Sequence, residues 1–291
     1  MINKKCMTLN KLMVIFVFLL VGGAVSAAEE IAPDEVVSYK KIGEVDLKLH
    51  VFKPSGHEAS DNRAAVVFFF GGGWQGGTPR QFYQQCRFLA QHGMVAFAAE
   101  YRVGSIHKTS PYECVTDGKS AIRWVRQHAV KLGVDPKRIV SSGGSAGGHV
   151  AACTGVVKGY EQQGEDTAVS SVPNAMVLFN PVLDTTAKGY GVGRFQRGKQ
   201  TELSPCHHVR KAIAPTIVFQ GSADTTTPSE NAERFARLMT EAGNHCEVVT
   251  YEGRKHGFFN GSFFRPTSND EDYHDTIEKT LNFLKQYGML E

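Results

Sequence analysis

Three residue types in this chain of 291 residues could do chemistry together: a serine set among glycines, an aspartate and a histidine, each placed shortly after a run suited to a buried strand. Gly143-Gly144-Ser145-Ala146-Gly147 fits G-x-S-x-G, the pattern of a serine at the tip of a strand-to-helix turn. So sharp a turn strains the serine backbone, and side chains two positions before or after it would meet the adjoining strand and helix; both places call for glycine. A serine hydroxyl is a poor nucleophile near neutral pH. An imidazole must take its proton during attack and return it to the leaving group, and a carboxylate must fix the imidazole tautomer and stabilise the cation that forms. Ser145, His256 and Asp224 are assigned these roles. Asp224 follows the run ending at Phe219, within Gln220-Gly221-Ser222-Ala223-Asp224, and His256 follows the run ending at Tyr251, within Gly253-Arg254-Lys255-His256-Gly257. Asp224 also suits an Asx turn or a helix cap before Ser229. Asp184, after the run ending at Phe179, is the reserve carboxylate, and His207 and His208 read as solvated.

An attacked carbonyl develops negative charge, so hydrogen-bond donors must already point at its oxygen. The residue after the nucleophile, Ala146, supplies one backbone N–H. Gly72 and Gly73, in the cluster Gly71-Gly72-Gly73-Trp74 that follows Ala64 to Phe70, supply the others. Trp74 suits either a wall of the acyl pocket or ordinary core packing.

These residues need a frame that gathers them at one edge. Val45 to Phe52 alternates apolar and polar residues, predicting with Val36 to Tyr39 a half-buried hairpin. From Ala64 onward, continuous apolar runs expected of strands covered on both faces alternate with helical spacing. The strands are Ala64 to Phe70, Met94 to Ala99, the run through Ile139-Val140, Ala175 to Phe179, Thr216 to Phe219 and Cys246 to Tyr251. The helices are Pro79 to His92, Tyr112 to Leu132, Ala146 to Val157, Ser229 to Ala242 and Asp272 to Tyr287. This order predicts an α/β fold: a mostly parallel central sheet, helices on both faces, and ligands at the carboxyl ends of the strands. Pro181 to Lys211 has no clean period and is expected to cross the mouth of the site as a partial cover.

With 42% hydrophobic residues and a formal net charge of +3, the chain suits one large core. Its basic residues are scattered rather than gathered into a stripe, which speaks against a nucleic-acid partner. Lys4, Lys5 and Lys11 precede an apolar run from Leu12 to Val21 and small residues through Ala28, the layout of a cleavable export signal over residues 1–28. The run is too short to span a membrane, so no stable insertion is expected once the signal is removed, and residues 29–291 form the catalytic domain. Five cysteines then remain, Cys86, Cys114, Cys153, Cys206 and Cys246, enough for at most two bridges. None has zinc spacing, so no metal is expected, and Cys153 reads as a small buried hydrophobe.

Taken together, Phe70-Gly71-Gly72-Gly73-Trp74, Glu100-Tyr101-Arg102, Gly143 to Gly148, Gly221-Ser222-Ala223-Asp224 before Pro228, and His256-Gly257-Phe258-Phe259 carry a resemblance. From about Val45 to Tyr287 the chain resembles the α/β-hydrolase esterases, in particular the hormone-sensitive-lipase-like and bacterial feruloyl and acetyl xylan esterase-like (BD-FAE-like) branches. The order Ser, Asp, His is theirs as well. The resemblance implies hydrolysis of carboxylic esters, usually with short acyl chains, by an acyl-enzyme route without metal or organic cofactor. The substrate would be a small ester or an acylated carbohydrate, such as an acetylated or feruloylated plant polysaccharide. One departure is Phe70, which stands where the family loop usually opens with a histidine thought to brace it. A serine exopeptidase of the prolyl oligopeptidase type shares the topology but usually carries a large propeller domain, which nothing here supplies. A silent binding module would lack one of the three catalytic residues, and all three are present.

Overall fold

The computed structural model describes Met1 and residues 31–290; apart from Met1, the expected export signal lies outside the described residues. Among these, eight strands form one sheet: β1 (Glu35–Ile42), β2 (Val45–Phe52), β3 (Arg63–Phe69), β4 (Val95–Ala99), β5 (Val134–Gly144), β6 (Ala175–Phe179), β7 (Thr216–Gly221) and β8 (Cys246–Tyr251). Their spatial order is β1-β2-β4-β3-β5-β6-β7-β8. The hairpin β1/β2 joins β4 antiparallel, and every pairing from β4 to β8 is parallel. Six helices accompany them: α1 (Tyr83–Gln91), α2 (Gly104–His107), α3 (Pro111–Gln127), α4 (Ala146–Val156), α5 (Ser229–Glu241) and α6 (Asp270–Gln286).

The continuous apolar runs now have their reason. Successive side chains of β3 point to opposite faces, so Ala65, Val67 and Phe69 enter one core with residues of α3, α4 and α5, while Ala64, Val66 and Phe68 enter a second core with α1 and α6. The hairpin has only one such face: Leu47, Leu49 and Val51 are buried, and Lys48 and His50 opposite them are half-buried. It is tied down by a buried charge cluster. The Asp117 carboxylate of α3 takes Lys40 Nζ of β1 at 2.7 Å and Arg102 Nε at 2.8 Å, leaving no charge in this cluster without an opposite partner.

Two expected elements differ in detail. Pro79 to Phe82 is a 3₁₀ turn, seated on the Thr78 cap with proline in its first turn, and only then does α1 begin. Helix α3 starts at a capping box, Ser110 with Glu113, but stops at Gln127 rather than Leu132. There the His128 ring, like its own amide, turns onto the Trp124 carbonyl, and the chain passes through Gly133, at φ 62°, into β5. All five described cysteines are free thiols; Cys86, Cys114, Cys153 and Cys206 are buried, Cys153 completely.

Candidate active site

The register of the central strands sets the site. β5 pairs with β6 up to Gly144 opposite Phe179, and β3 pairs with β5 up to Phe69 opposite Gly143, so three strands end level with Ser145. The Ser145 amide donates to the Phe179 carbonyl at 2.9 Å, and the serine takes φ 56° and ψ −121°, a region that costs about 1–3 kcal/mol. The flanking glycines make the turn possible. A Cβ on Gly147 would lie 2.1 Å from the Phe69 carbonyl oxygen, and one on Gly143 would lie 2.6 Å from the Gly147 carbonyl. Helix α4 starts at Ala146 and is buried on all sides, as a helix apolar all round must be.

His256 stands between the two other expected partners. Its Nε2 is 2.8 Å from Ser145 Oγ and its Nδ1 is 2.7 Å from Asp224 Oδ2. A carboxylate can only accept, so Nδ1 carries the proton and Nε2 is left to accept from the serine hydroxyl. The Asx turn is present too, on the other oxygen: Asp224 Oδ1 accepts from the Thr226 and Thr227 amides at 2.8 and 2.9 Å. Burial works against the Asp224 charge, but the hydrogen bonds from His256 and the Thr227 amide outweigh it and hold the carboxyl below the usual carboxylate range. Asp184 is engaged elsewhere. Fully buried, it pairs with Arg234 Nη1 at 2.6 Å and caps the Thr186 amide. His207 is exposed yet bonded to Ser204 Oγ at 2.8 Å, and His208 is half-buried, with Nε2 on the Thr201 carbonyl, so neither is simply solvated.

Ser145 and His256 open onto a cavity of about 440 Å³ whose lining includes Gly72 and Gly73. Gly72, at φ 125°, packs too tightly on Gly76 to carry a side chain; a Cβ would lie 2.2 Å from the Gly76 carbonyl oxygen. Among the described residues the Gly72 and Gly73 amides have no hydrogen-bond partner, and Ala146, first in its helix, has no intrahelical acceptor. The Gly71 amide is spent on Gln81 Oε1 at 2.7 Å.

That bond answers the departure at Phe70. Gln81 Nε2 donates to Asn260 Oδ1 at 2.9 Å, and Asn260 Nδ2 donates to the Gly257 carbonyl at 2.8 Å, so two buried amides run from the glycine loop to the segment carrying His256. Phe70 itself stacks on Tyr101 with ring centroids 4.3 Å apart, and Tyr101 Oη donates to the Phe70 carbonyl at 2.6 Å. Glu100 accepts the Lys48 amide across the sheet, and Arg102 belongs to the Asp117 cluster. A brace is present without the histidine. Asn180, following β6, adds to it: its Oδ1 accepts from the Gly257 amide at 2.9 Å, which fixes the orientation of the carboxamide. Sequence position could have found Asn180, since it directly follows a central strand. Nothing marked Gln81 or Asn260.

Of the two readings of Trp74, pocket wall and core packing, the structure takes the second: Trp74 is fully buried and absent from the cavity lining, and its indole N–H, which needs an acceptor when buried, finds His149 Nδ1 at 3.2 Å. Tyr190, whose ring lies 5.7 Å from the indole, forms the wall instead, its hydroxyl 2.9 Å from where a Gly73 Cβ would be. Tyr190 belongs to residues 181–211, which are irregular apart from two short 3₁₀ turns, Val192–Arg194 and Pro205–His207. Leu183, Phe195 and Leu203 bury this segment against the body, and the His149 Nε2 proton bonds the Leu203 carbonyl at 2.7 Å.

The chain is similar to known esterases. Residues 49–192 match the BD-FAE family model and residues 174–288 the dienelactone hydrolase family model. The apo form of Thermogutta terrifontis esterase 2 superimposes with a TM-score of 0.84 at 50% identity, over 90% of this chain and 97% of that one. Esterase LipC of Mycobacterium tuberculosis is 28% identical over 226 residues, 70% of this chain and 56% of that protein. An acetylxylan esterase of Xylanibacter ruminicola is 26% identical over 244 residues, 76% of this chain and 45% of that protein. The chain spans about half the length of the first curated relatives it matches. With its sheet order, its elbow serine and half of its aligned residues shared with a solved esterase, the chain belongs to the α/β-hydrolase esterases of the BD-FAE-like branch.

Proposed function

We propose that this protein is a serine carboxylesterase acting on short-chain carboxylic esters through an acyl-enzyme. One observation carries the reading: an imidazole bonded to a serine hydroxyl at 2.8 Å and to a carboxylate at 2.7 Å, beside backbone amides with no partner among the described residues. In the first half, His256 Nε2 takes the Ser145 proton as Oγ bonds to the acyl carbon. The carbonyl electrons move to its oxygen, held by the amides of Gly72, Gly73 and Ala146. The intermediate collapses and the alcohol leaves with the proton from His256. In the second half, water gives a proton to His256 and attacks the acyl carbon, and Ser145 leaves with that proton. Asp224 holds the tautomer and steadies the imidazolium throughout.

A short acyl chain is supported by the modest cavity and by the T. terrifontis neighbour, whose structures include propionate-bound and butyrate-bound forms. The acetylxylan esterase relative supports an acyl group carried on carbohydrate. Release of acetate from acetylated xylan, or of ferulate from methyl ferulate, alongside a panel of p-nitrophenyl esters, identifies the natural acyl group. The basic, apolar and small-residue layout of residues 1–28 supports export, for which N-terminal sequencing should find a mature chain starting at residue 28 or 29 and not at Met1. Ser145→Ala should abolish release of p-nitrophenol from the acetate ester; undiminished turnover rejects the mechanism.

A further inference from the structure

The cavity lining includes two arginines, Arg194 in the irregular segment 181–211 and Arg265 on the loop after His256, and, among the described residues, no aspartate or glutamate. Arg265 is fixed against the reacting histidine. Its Nη1 donates to the His256 carbonyl at 3.1 Å, and its guanidinium lies over Gly257, where a Cβ would come within 2.3 Å of Nη1. Gly257, at φ 81°, is therefore the residue that lets this guanidinium lie so close to the site. The other Arg265 nitrogens, and the whole Arg194 guanidinium, have no partner among the described residues, and both residues are exposed while lining the cavity.

Mechanism decides which part of a substrate meets them. The carbonyl oxygen must lie toward Gly72, Gly73 and Ala146, and the alcohol oxygen must lie toward His256 Nε2, from which it takes its proton. The alcohol portion thus leads out past the His256 loop, where Arg265 sits. A guanidinium with unused N–H groups presents the fork geometry that a carboxylate accepts in a bidentate pair. Resting on the esterase reading above, we infer that Arg265, with Arg194 across the mouth, forms an anion subsite selecting esters whose alcohol portion bears a carboxylate.

The test compares acetate release from 4-acetoxybenzoate and from methyl 4-acetoxybenzoate, aryl acetates of similar shape of which the first bears a negative charge on the alcohol side and the second a methyl ester in its place. Hydrogen bonds to charged groups contribute about 1.5–3 kcal/mol, so kcat/KM should favour the anion by about tenfold or more. Arg265→Gln should lower the anion-to-neutral ratio about tenfold, and Arg194→Gln should lower it less. Raising the salt to about 1 M, where the screening length is about 3 Å, should lower the ratio without any substitution. A change in His256 posture common to both esters cancels in the ratio. A wild-type ratio of one or below, or a ratio untouched by Arg265→Gln and by salt, overturns the subsite while turnover of the neutral ester leaves the esterase reading standing. Turnover of neither ester removes both.

Discussion

At the scale of single residues, each position in the candidate triad has one task that its neighbours enforce. Asp224 uses one oxygen to hold its own turn, through the Thr226 and Thr227 amides, and the other to hold His256. Asp224→Asn keeps the size but places an amide where a carboxylate must accept, so the imidazole is pushed to the wrong tautomer. A loss of about 10⁴ in kcat is expected, as for triads of this geometry. Urea denaturation should show that the fold persists, since Oδ1 of asparagine still accepts the turn amides. The meeting of Ser145, Asp224 and His256 was legible because G-x-S-x-G and the positions after the strands are rules of sequence. Trp74 was not, because whether an aromatic lines a cavity or lies beneath it depends on a partner, His149, that is 75 residues away.

At the scale of elements, the notable feature is how two loops are kept in step. The glycine loop after β3 and the histidine loop after β8 meet through Gln81 and Asn260, both buried and both at the cavity. Gln81→Leu leaves the Gly71 amide and the Asn260 carbonyl without partners, a desolvation cost of about 1–3 kcal/mol for each group. Because the loop carrying the amides proposed to hold the oxyanion then loses its fixed position, kcat should fall by about 10²-fold while KM stays within a few-fold. A double cycle with Asn260→Leu checks the coupling: the double variant should lose little more kcat than either single one, whereas full additivity would mean that the two amides act separately. Strand and helix identities came readily from apolar runs and helical spacing. The end of α3 and the 3₁₀ turn at Pro79 did not, because local side-chain competition and capping fix such ends more than period does.

At the scale of the whole molecule, His149 joins parts that sequence leaves far apart. From α4 it accepts the Trp74 indole N–H on Nδ1 and donates from Nε2 to the Leu203 carbonyl, linking the helix after Ser145, the glycine loop and the irregular segment 181–211. Burial pushes its pKa down to about 4, with the Leu203 bond pulling the other way. The unfolded chain, with a histidine near 6.5, therefore binds the proton more readily than the folded one. This group's contribution is complete above about pH 6.5 and is lost as pH falls toward 4, by on the order of 3 kcal/mol. Urea midpoints taken between about pH 7 and 4.5 should fall accordingly, and His149→Gln, which can accept and donate without titrating, should flatten that slope. If Ser145 is the nucleophile, its covalent modification and the loss of hydrolysis must go together. The protein is treated with a fluorophosphonate probe, and residual hydrolysis of p-nitrophenyl acetate is followed while the labelled peptide is mapped by mass spectrometry. One adduct per chain on Ser145, growing in step with the loss of activity, is the predicted result; full activity with Ser145 unmodified would contradict the account.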